Sequence, residues 1–275
     1  VSCSVKHKKT FDYIFNKTEA ITLEQSKLTL SKDITVLSFS DSSMVDRNSS
    51  IIKVDSGWIV YSKNSESSIL SFTSDGQFSG YIGHRGNGPG EYTSVYDVVV
   101  NQKSKVLEVL SDGGIFCYTF GGDFLDKKEV TYPAFSFAID DRQNYWFYVG
   151  NNTTYGDAKM ICTDENIANV AYYLHQKSNM LPMVENNFGR NGEWLTFHES
   201  LNHDLYTIEN GKLDLSYAMD FPNYKLPKKL HELSGMEVIE ELQRSNYASI
   251  INYLENHDYI SVSYTHLRAH ETELH

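Results

Sequence analysis

The chain has 275 residues, 40% of them hydrophobic and 22% charged, which suits a globular protein of one large domain or two small ones with a substantial core. Its 19 Tyr and 14 Phe are too many for a disordered chain, and no apolar run approaches the roughly 18 residues of a membrane span. A net charge of −12 and a pI near 5.2 argue against a sequence-independent surface for nucleic-acid phosphate.

The chain opens Val1-Ser2-Cys3-Ser4. An aliphatic residue, a small residue and then cysteine resemble the end of a bacterial lipoprotein signal peptide, whose cysteine is lipidated and becomes the mature N-terminus. Residues 1–30 are therefore expected to form a tether anchored through Cys3, with Lys6, Lys8 and Lys9 solvated near a membrane surface.

Past residue 30 come short runs of β-branched and aromatic residues separated by turn residues. The first set is 34–39, 51–54, 58–61, 69–72 and 78–82; the second is 97–100, 106–110, 115–120 and 126–131. The third is 135–139, 145–149, 159–163 and 170–174, and the fourth is 188–190, 194–197, 204–208 and 213–221. The hairpins closing these sets resemble one another: Phe72-Thr73-Ser74-Asp75-Gly76-Gln77-Phe78, Tyr118-Thr119-Phe120-Gly121-Gly122-Asp123-Phe124, Ile161-Cys162-Thr163-Asp164-Glu165-Asn166-Ile167, and a longer version from Tyr206 to Leu213. Their leading residues are 46, 43 and 45 apart. Asp75-Gly76, Gly121-Gly122 and Asn210-Gly211 supply positive φ in tight hairpins. A four-stranded unit recurring every 40-odd residues predicts an all-β propeller rather than a sandwich, which would not need the same hairpin at near-constant intervals.

Residues 226–247 depart from the repeat. Leu230, Leu233, Val238, Ile239 and Leu242 stand at helical spacing and Ser234-Gly235 interrupts them, which predicts two short helices inserted between the fourth and fifth blades. Of the three cysteines, Cys117 and Cys162 fall on the same side of successive blades about 10 Å apart, too far for a disulfide, and are expected to be free and buried.

The segment Gly83-His84-Arg85-Gly86-Asn87-Gly88-Pro89-Gly90-Glu91-Tyr92 resembles the G-x-x-G-x-G-P-G-E-Y loop of the NHL-like six-bladed β-propeller lipoproteins of Gram-negative envelopes. The preceding hairpin, the early strand near residue 34 and the Cys3 motif extend the resemblance over roughly residues 30–260. It implies a six-bladed fold, an envelope location and lipidation at Cys3. A six-bladed member needs about two more repeats, so the resemblance implies a C-terminally truncated propeller over residues 31–261: four blades and part of a fifth. Residues 34–39 would then be the ring-closing strand of the last blade. Residues 262–275 resemble translated sequencing-adapter read-through and are expected to be a non-native tail; without its one Arg and two Glu the charge is −11.

The glycine-rich loop does not read as a phosphate cradle. Pro89 stands where a phosphate-binding lysine is needed and removes an N–H, and a strand follows instead of a helix N-terminus. Gly83, Gly86, Gly88, Pro89 and Gly90 are expected to shape the crossing from an outer strand to the next inner strand, anchored by Glu91 and Tyr92. Such crossings lie on the face where propellers bind ligands, so His84, Arg85, Glu91, Tyr92 and Asp97 are the ligand-face candidates. His198 and His203 flank Glu199 without the H-E-x-x-H spacing and read as a turn; no metal site and no cofactor is expected. The resulting expectation is a monomeric, non-catalytic envelope module that binds a glycan, a peptide or a partner protein, but not nucleic acid. It would meet a membrane only through its lipid. The alternative is a metal-dependent hydrolase or lyase working in the central channel, with Asp97 as the one ionisable oxygen donor at a strand mouth.

Overall fold

The computed structural model describes residues 11–14, 34–39, 45, 49–63, 68–152, 156–175, 186–191, 194–255 and 260–267. Cys3, Lys6, Lys8 and Lys9 lie outside them. The fold is an all-β, incomplete propeller with four four-stranded antiparallel blades. After β1 (Phe11–Ile14), the first blade is β2 (Ser50–Val54), β3 (Gly57–Tyr61), β4 (Ile69–Thr73) and β5 (Phe78–Ile82). A crossing follows, holding a two-residue parallel ladder of β6 (His84–Arg85) and β7 (Glu91–Tyr92). The second blade is β8 (Asp97–Asn101), β9 (Val106–Ser111), β10 (Gly114–Tyr118) and β11 (Phe124–Lys128). The third is β12 (Ser136–Ile139), β13 (Tyr145–Tyr148), β14 (Met160–Thr163) and β15 (Ala171–Tyr173). The fourth is β16 (Phe188–Asn191), β17 (Trp194–His198), β18 (Asp204–Glu209) and β19 (Lys212–Asp220).

The chain divides into two compact units, one of Glu19–Ile139 with Asp164–Asn169, the other of Val1–Thr18, Asp140–Thr163 and Val170–His275. In the first unit, alternation along β3 explains why a blade is apolar on both faces. Ile59 and Tyr61 join a core with Ile69, Ile82, Tyr92, Val98, Leu107 and Tyr118. Trp58 and Val60 turn the other way, to Leu70, Phe72 and Leu37. A strand whose successive side chains both meet apolar neighbours is the mark of sheets stacked face to face.

The repeated hairpin is one physical device. The N–H of Thr73 reaches the carbonyl of Gln77 at 2.9 Å, that of Thr119 reaches Asp123 at 2.9 Å, and that of Asp164 reaches Ala168 at 2.9 Å. In each, the side-chain oxygen of the first residue accepts the N–H four residues on, at 3.0, 3.1 and 2.9 Å. The equivalent leading residues are Phe72, Tyr118 and Thr163, not Ile161, so the first two spacings are 46 and 45 and not 46 and 43. The positive-φ position is Gly76 (φ 89), Gly122 (φ 100) and, unexpectedly, Ile167 (φ 59). The fourth hairpin turns in two residues, Asn210 (φ 56) and Gly211 (φ 72), between the paired Glu209 and Lys212.

Residues 34–39 do not form a strand; Ser38 makes one isolated parallel bridge to Gln77, and Ile34 and Val36 are 85% and 71% exposed. The reason is a clasp seen twice. Ser38 donates to the Gly76 carbonyl at 2.8 Å, and 45 residues later Gly83 donates to the Gly122 carbonyl at 3.3 Å. A Cβ on Gly76 would stand 2.1 Å from the Val36 oxygen, and one on Gly122 2.3 Å from the Tyr81 oxygen. Residues 34–39 thus occupy, one repeat earlier, the place of the end of β5, and they hydrogen-bond to the next blade's hairpin.

In the second unit, the expected helical insertion appears as a 3-10 turn (Lys228–Glu232) and α1 (Met236–Arg244), divided at Gly235 (φ 53). Leu230 and Val238 supply their buried contacts. β20 (Tyr247–Glu255) and β21 (Ile260–Leu267) then form an antiparallel pair whose Ala248, Ile250 and Tyr253 pack with Leu205, Met219 and Phe221. Residues 262–267 of the expected tail lie in β21, and the rest of it falls outside the described residues. Cys117 and Cys162 are free and buried, and burial pushes both thiols up to about 12.

Candidate functional site

Four backbone facts shape the crossing loop, residues 83–92. Gly88-Pro89-Gly90-Glu91 makes a turn closed by the Glu91 N–H on the Gly88 carbonyl at 3.0 Å, with proline second and a positive-φ glycine (Gly90, φ 75) third, as a type II turn requires. Gly83 also has positive φ (62), and a Cβ there would stand 2.6 Å from the Tyr118 ring; one on Gly90 would stand 2.6 Å from the ring of Phe124. Gly86 and Gly88 answer to space instead. A Cβ on either would stand 2.0 or 2.9 Å from Oε2 of Glu91, and that oxygen accepts the Gly88 N–H at 2.8 Å.

The five ligand-face candidates therefore separate. Glu91 is half-buried and clamps the turn from within. Tyr92 is 1% exposed; its hydroxyl donates to the Ile82 carbonyl at 3.2 Å and accepts the Ile69 N–H at 3.2 Å, and burial raises its pKa. Asp97 is 5% exposed. One of its oxygens takes the Lys63 ammonium at 2.9 Å and the Tyr61 hydroxyl at 3.4 Å, and the other takes the Phe137 N–H at 3.1 Å. Asp97 of the second blade thus joins side chains of the first to the backbone of β12. Tyr92 and Asp97 are framework, not surface, since hydrogen-bonding groups at this depth must find internal partners. His84 and Arg85 are exposed, as is Asn87 between them and the turn.

The exposed pair has neighbours that sequence reasoning missed. Arg85 Nε donates to the Thr93 carbonyl at 2.9 Å, and Thr93 Oγ1 donates to Asp112 at 2.6 Å. The Tyr96 hydroxyl donates to the other Asp112 oxygen, and these two donors hold the carboxyl below its usual range. Asp112 lies in the turn between β9 and β10; its Asp-Gly dipeptide was legible, but its approach to Thr93 was not. The result is a rim in which Arg85 stands beside Thr93, which with Tyr96 holds Asp112, while the adjoining His84 is exposed. Such groups recognise by charge and hydrogen bonding.

The second unit places the histidine pair. His198 is 2% exposed, with Nδ1 unpartnered and its pKa lowered by burial. Glu199 binds the Lys159 ammonium at 3.1 Å, the Tyr148 hydroxyl at 2.8 Å and Asn202 at 3.1 Å. His203 meets the Ala248 carbonyl at 2.9 Å and packs its ring on Phe221. The three side chains point to different partners, and among the described residues no group of three or more His, Cys, Asp or Glu could hold a metal ion. No helix among them is long and apolar enough to cross a membrane.

The model of a family described as "Domain of unknown function (DUF4934)" matches residues 6–274. A solved structure of a candidate exported protein from Bacteroides fragilis NCTC 9343 is similar, with a TM-score of 0.70 and 15% identity over 84% of this chain and 69% of that one. A member of the DUF4221 family from Bacteroides vulgatus ATCC 8482 has a TM-score of 0.50 and 10% identity over 79% of this chain and 70% of that one. At these identities the likeness is one of fold. No curated protein matches the sequence.

Proposed function

The chain belongs to the DUF4934 family, and we propose that it is a non-catalytic binding or assembly module of a Gram-negative cell envelope. The observation that carries this is the division of labour in the crossing loop. Gly83, Gly90, Glu91 and Tyr92 are committed to holding the backbone, while His84, Arg85 and Asn87 are presented to solvent and Arg85 meets Thr93, which binds Asp112. A rigid frame carrying adaptable polar groups binds with little ordering cost. A glycan, a peptide or a partner protein offers the hydroxyls, amides and charges this rim complements. The description of the Bacteroides fragilis neighbour as an exported-protein candidate supports an envelope address. Val1-Ser2-Cys3 supports attachment through a lipid on Cys3, in keeping with the NHL-like six-bladed lipoproteins.

The metal-dependent alternative rested on Asp97, whose carboxylate is engaged by Lys63, Tyr61 and the Phe137 N–H. The deciding experiment compares wild type with His84→Ala/Arg85→Ala on immobilised envelope glycans and solubilised envelope proteins. Retention should fall at least tenfold with an unchanged melting temperature. Equal retention would move recognition away from this loop. Labelled-palmitate incorporation abolished by Cys3→Ser tests the anchor separately.

A further inference from the structure

Among the described residues, three blades end at their own outer strand, whereas the fourth carries a fifth. β1 runs parallel to β19, with Phe11 opposite Tyr217, Asp12 opposite Ala218, Tyr13 opposite Met219 and Ile14 opposite Asp220. No hairpin dictates this pairing, because the partners lie 206 residues apart in the chain. The strand docks as a separate peptide would, by main-chain hydrogen bonds along a sheet edge.

Two features make the edge exchangeable. The net gain of a ladder hydrogen bond is of the same order as the entropy lost in fixing one residue, so a four-residue ladder is weakly held. The edge is also longer than its occupant: β19 spans Lys212–Asp220 and β1 covers only its last four residues. The register shift at Leu205/Tyr206 bulges β19 where β1 begins, and no described strand pairs with the outer side of residues 212–215, where Leu215 is 39% exposed. Residues 6–17, which contain β1, carry four lysines against one aspartate in a chain of net charge −12.

We propose that the outer edge of the fourth blade is a strand-docking site, occupied in cis by Phe11–Ile14 and open in trans to a basic, extended polypeptide segment that pairs parallel to β19. It is independent of the crossing-loop reading. A fluorescein-labelled peptide with the sequence of residues 6–17, followed by anisotropy, is the probe. It should bind a full chain carrying Asp12→Pro/Tyr13→Pro at least tenfold more tightly than wild type. An Asp12→Cys/Ala218→Cys chain should form a crosslink that neither single variant forms, and when oxidised it should bind the peptide at least tenfold more weakly than when reduced. A peptide with the same two prolines should not bind. The proposal is overturned by absence of saturable binding to the proline chain, by equal binding to locked and reduced chains, or by undiminished binding of the proline peptide. If the proline chain melts early, the locked-against-reduced comparison decides alone.

Discussion

Replacing Asp97 with Ala tests whether the buried carboxylate is framework or ligand. The change strands the Lys63 ammonium, whose side chain is 10% exposed, and removes the acceptor of the Phe137 N–H. Breaking a buried ion pair from one side costs about 3–5 kcal/mol. An orphaned buried donor adds about 1–3 kcal/mol. The two do not add fully, because Lys63 can swing its flexible stem toward water, so the expected loss is about 4 kcal/mol out of a typical total of about 5–15 kcal/mol. Urea unfolding followed by fluorescence of the three tryptophans measures it. With an m-value of about 2–3 kcal/mol/M the midpoint should fall by about 1.5 M at constant m. Asp97→Asn/Lys63→Met, which removes both charges, should recover at least half of the loss. The reasoning fails if Asp97→Ala costs less than about 1 kcal/mol. It fails equally if wild type gains melting temperature with Ca²⁺ or Zn²⁺ and the variant does not, since a ligand bound only by the native state stabilises it.

In the crossing loop, Gly90→Val should cost at least about 2 kcal/mol, because it forces a β-branched residue to φ 75 against the Phe124 ring. Gly88→Ala should cost only about 1 kcal/mol, since its φ is ordinary and its obstacle is the movable Glu91 carboxylate; chevron or equilibrium midpoints in the reverse order would refute this. Ile167→Gly should stabilise by about 0.5–1 kcal/mol by relieving a β-branched residue at φ 59, and a lowered melting temperature would show the strain to be compensated. His198, buried neutral with its pKa lowered from about 6.5, refuses the proton that the unfolded chain accepts. Its contribution is therefore full above pH 6.5 and lost as pH falls below it. Between pH 7.5 and 5.5 wild type should lose more stability than His198→Phe, and parallel pH profiles would exclude His198 as the cause.

The blades were legible in the sequence because their determinants are local. Alternation over i and i+2 marks each strand, and Asp75-Gly76, Gly121-Gly122 and Asn210-Gly211 mark the turns, so the expected strand edges fall within two residues of the observed ones nearly everywhere. Gly235 and the helical spacing around Val238 were legible for the same reason. The third hairpin hides its alignment in the sequence because its positive-φ position holds Ile167, a residue no turn rule would place there. Residues 34–39 have strand composition yet form none, because a strand exists only where another chain segment offers its edge, and theirs meets a hairpin turn at Gly76. The candidate site shows the same limit. The tight crossing of residues 83–92, with His84 and Arg85 exposed, can be read from residue types and their order alone. The inward turn of Glu91, the pairing of Asp97 with Lys63 and Phe137, the approach of Asp112 to Thr93 and the docking of β1 on β19 arise only in the folded chain. Turn geometry is set by torsions within four residues. Partners are set by the register of strands far apart in the chain, and a register is a property of the assembled sheet.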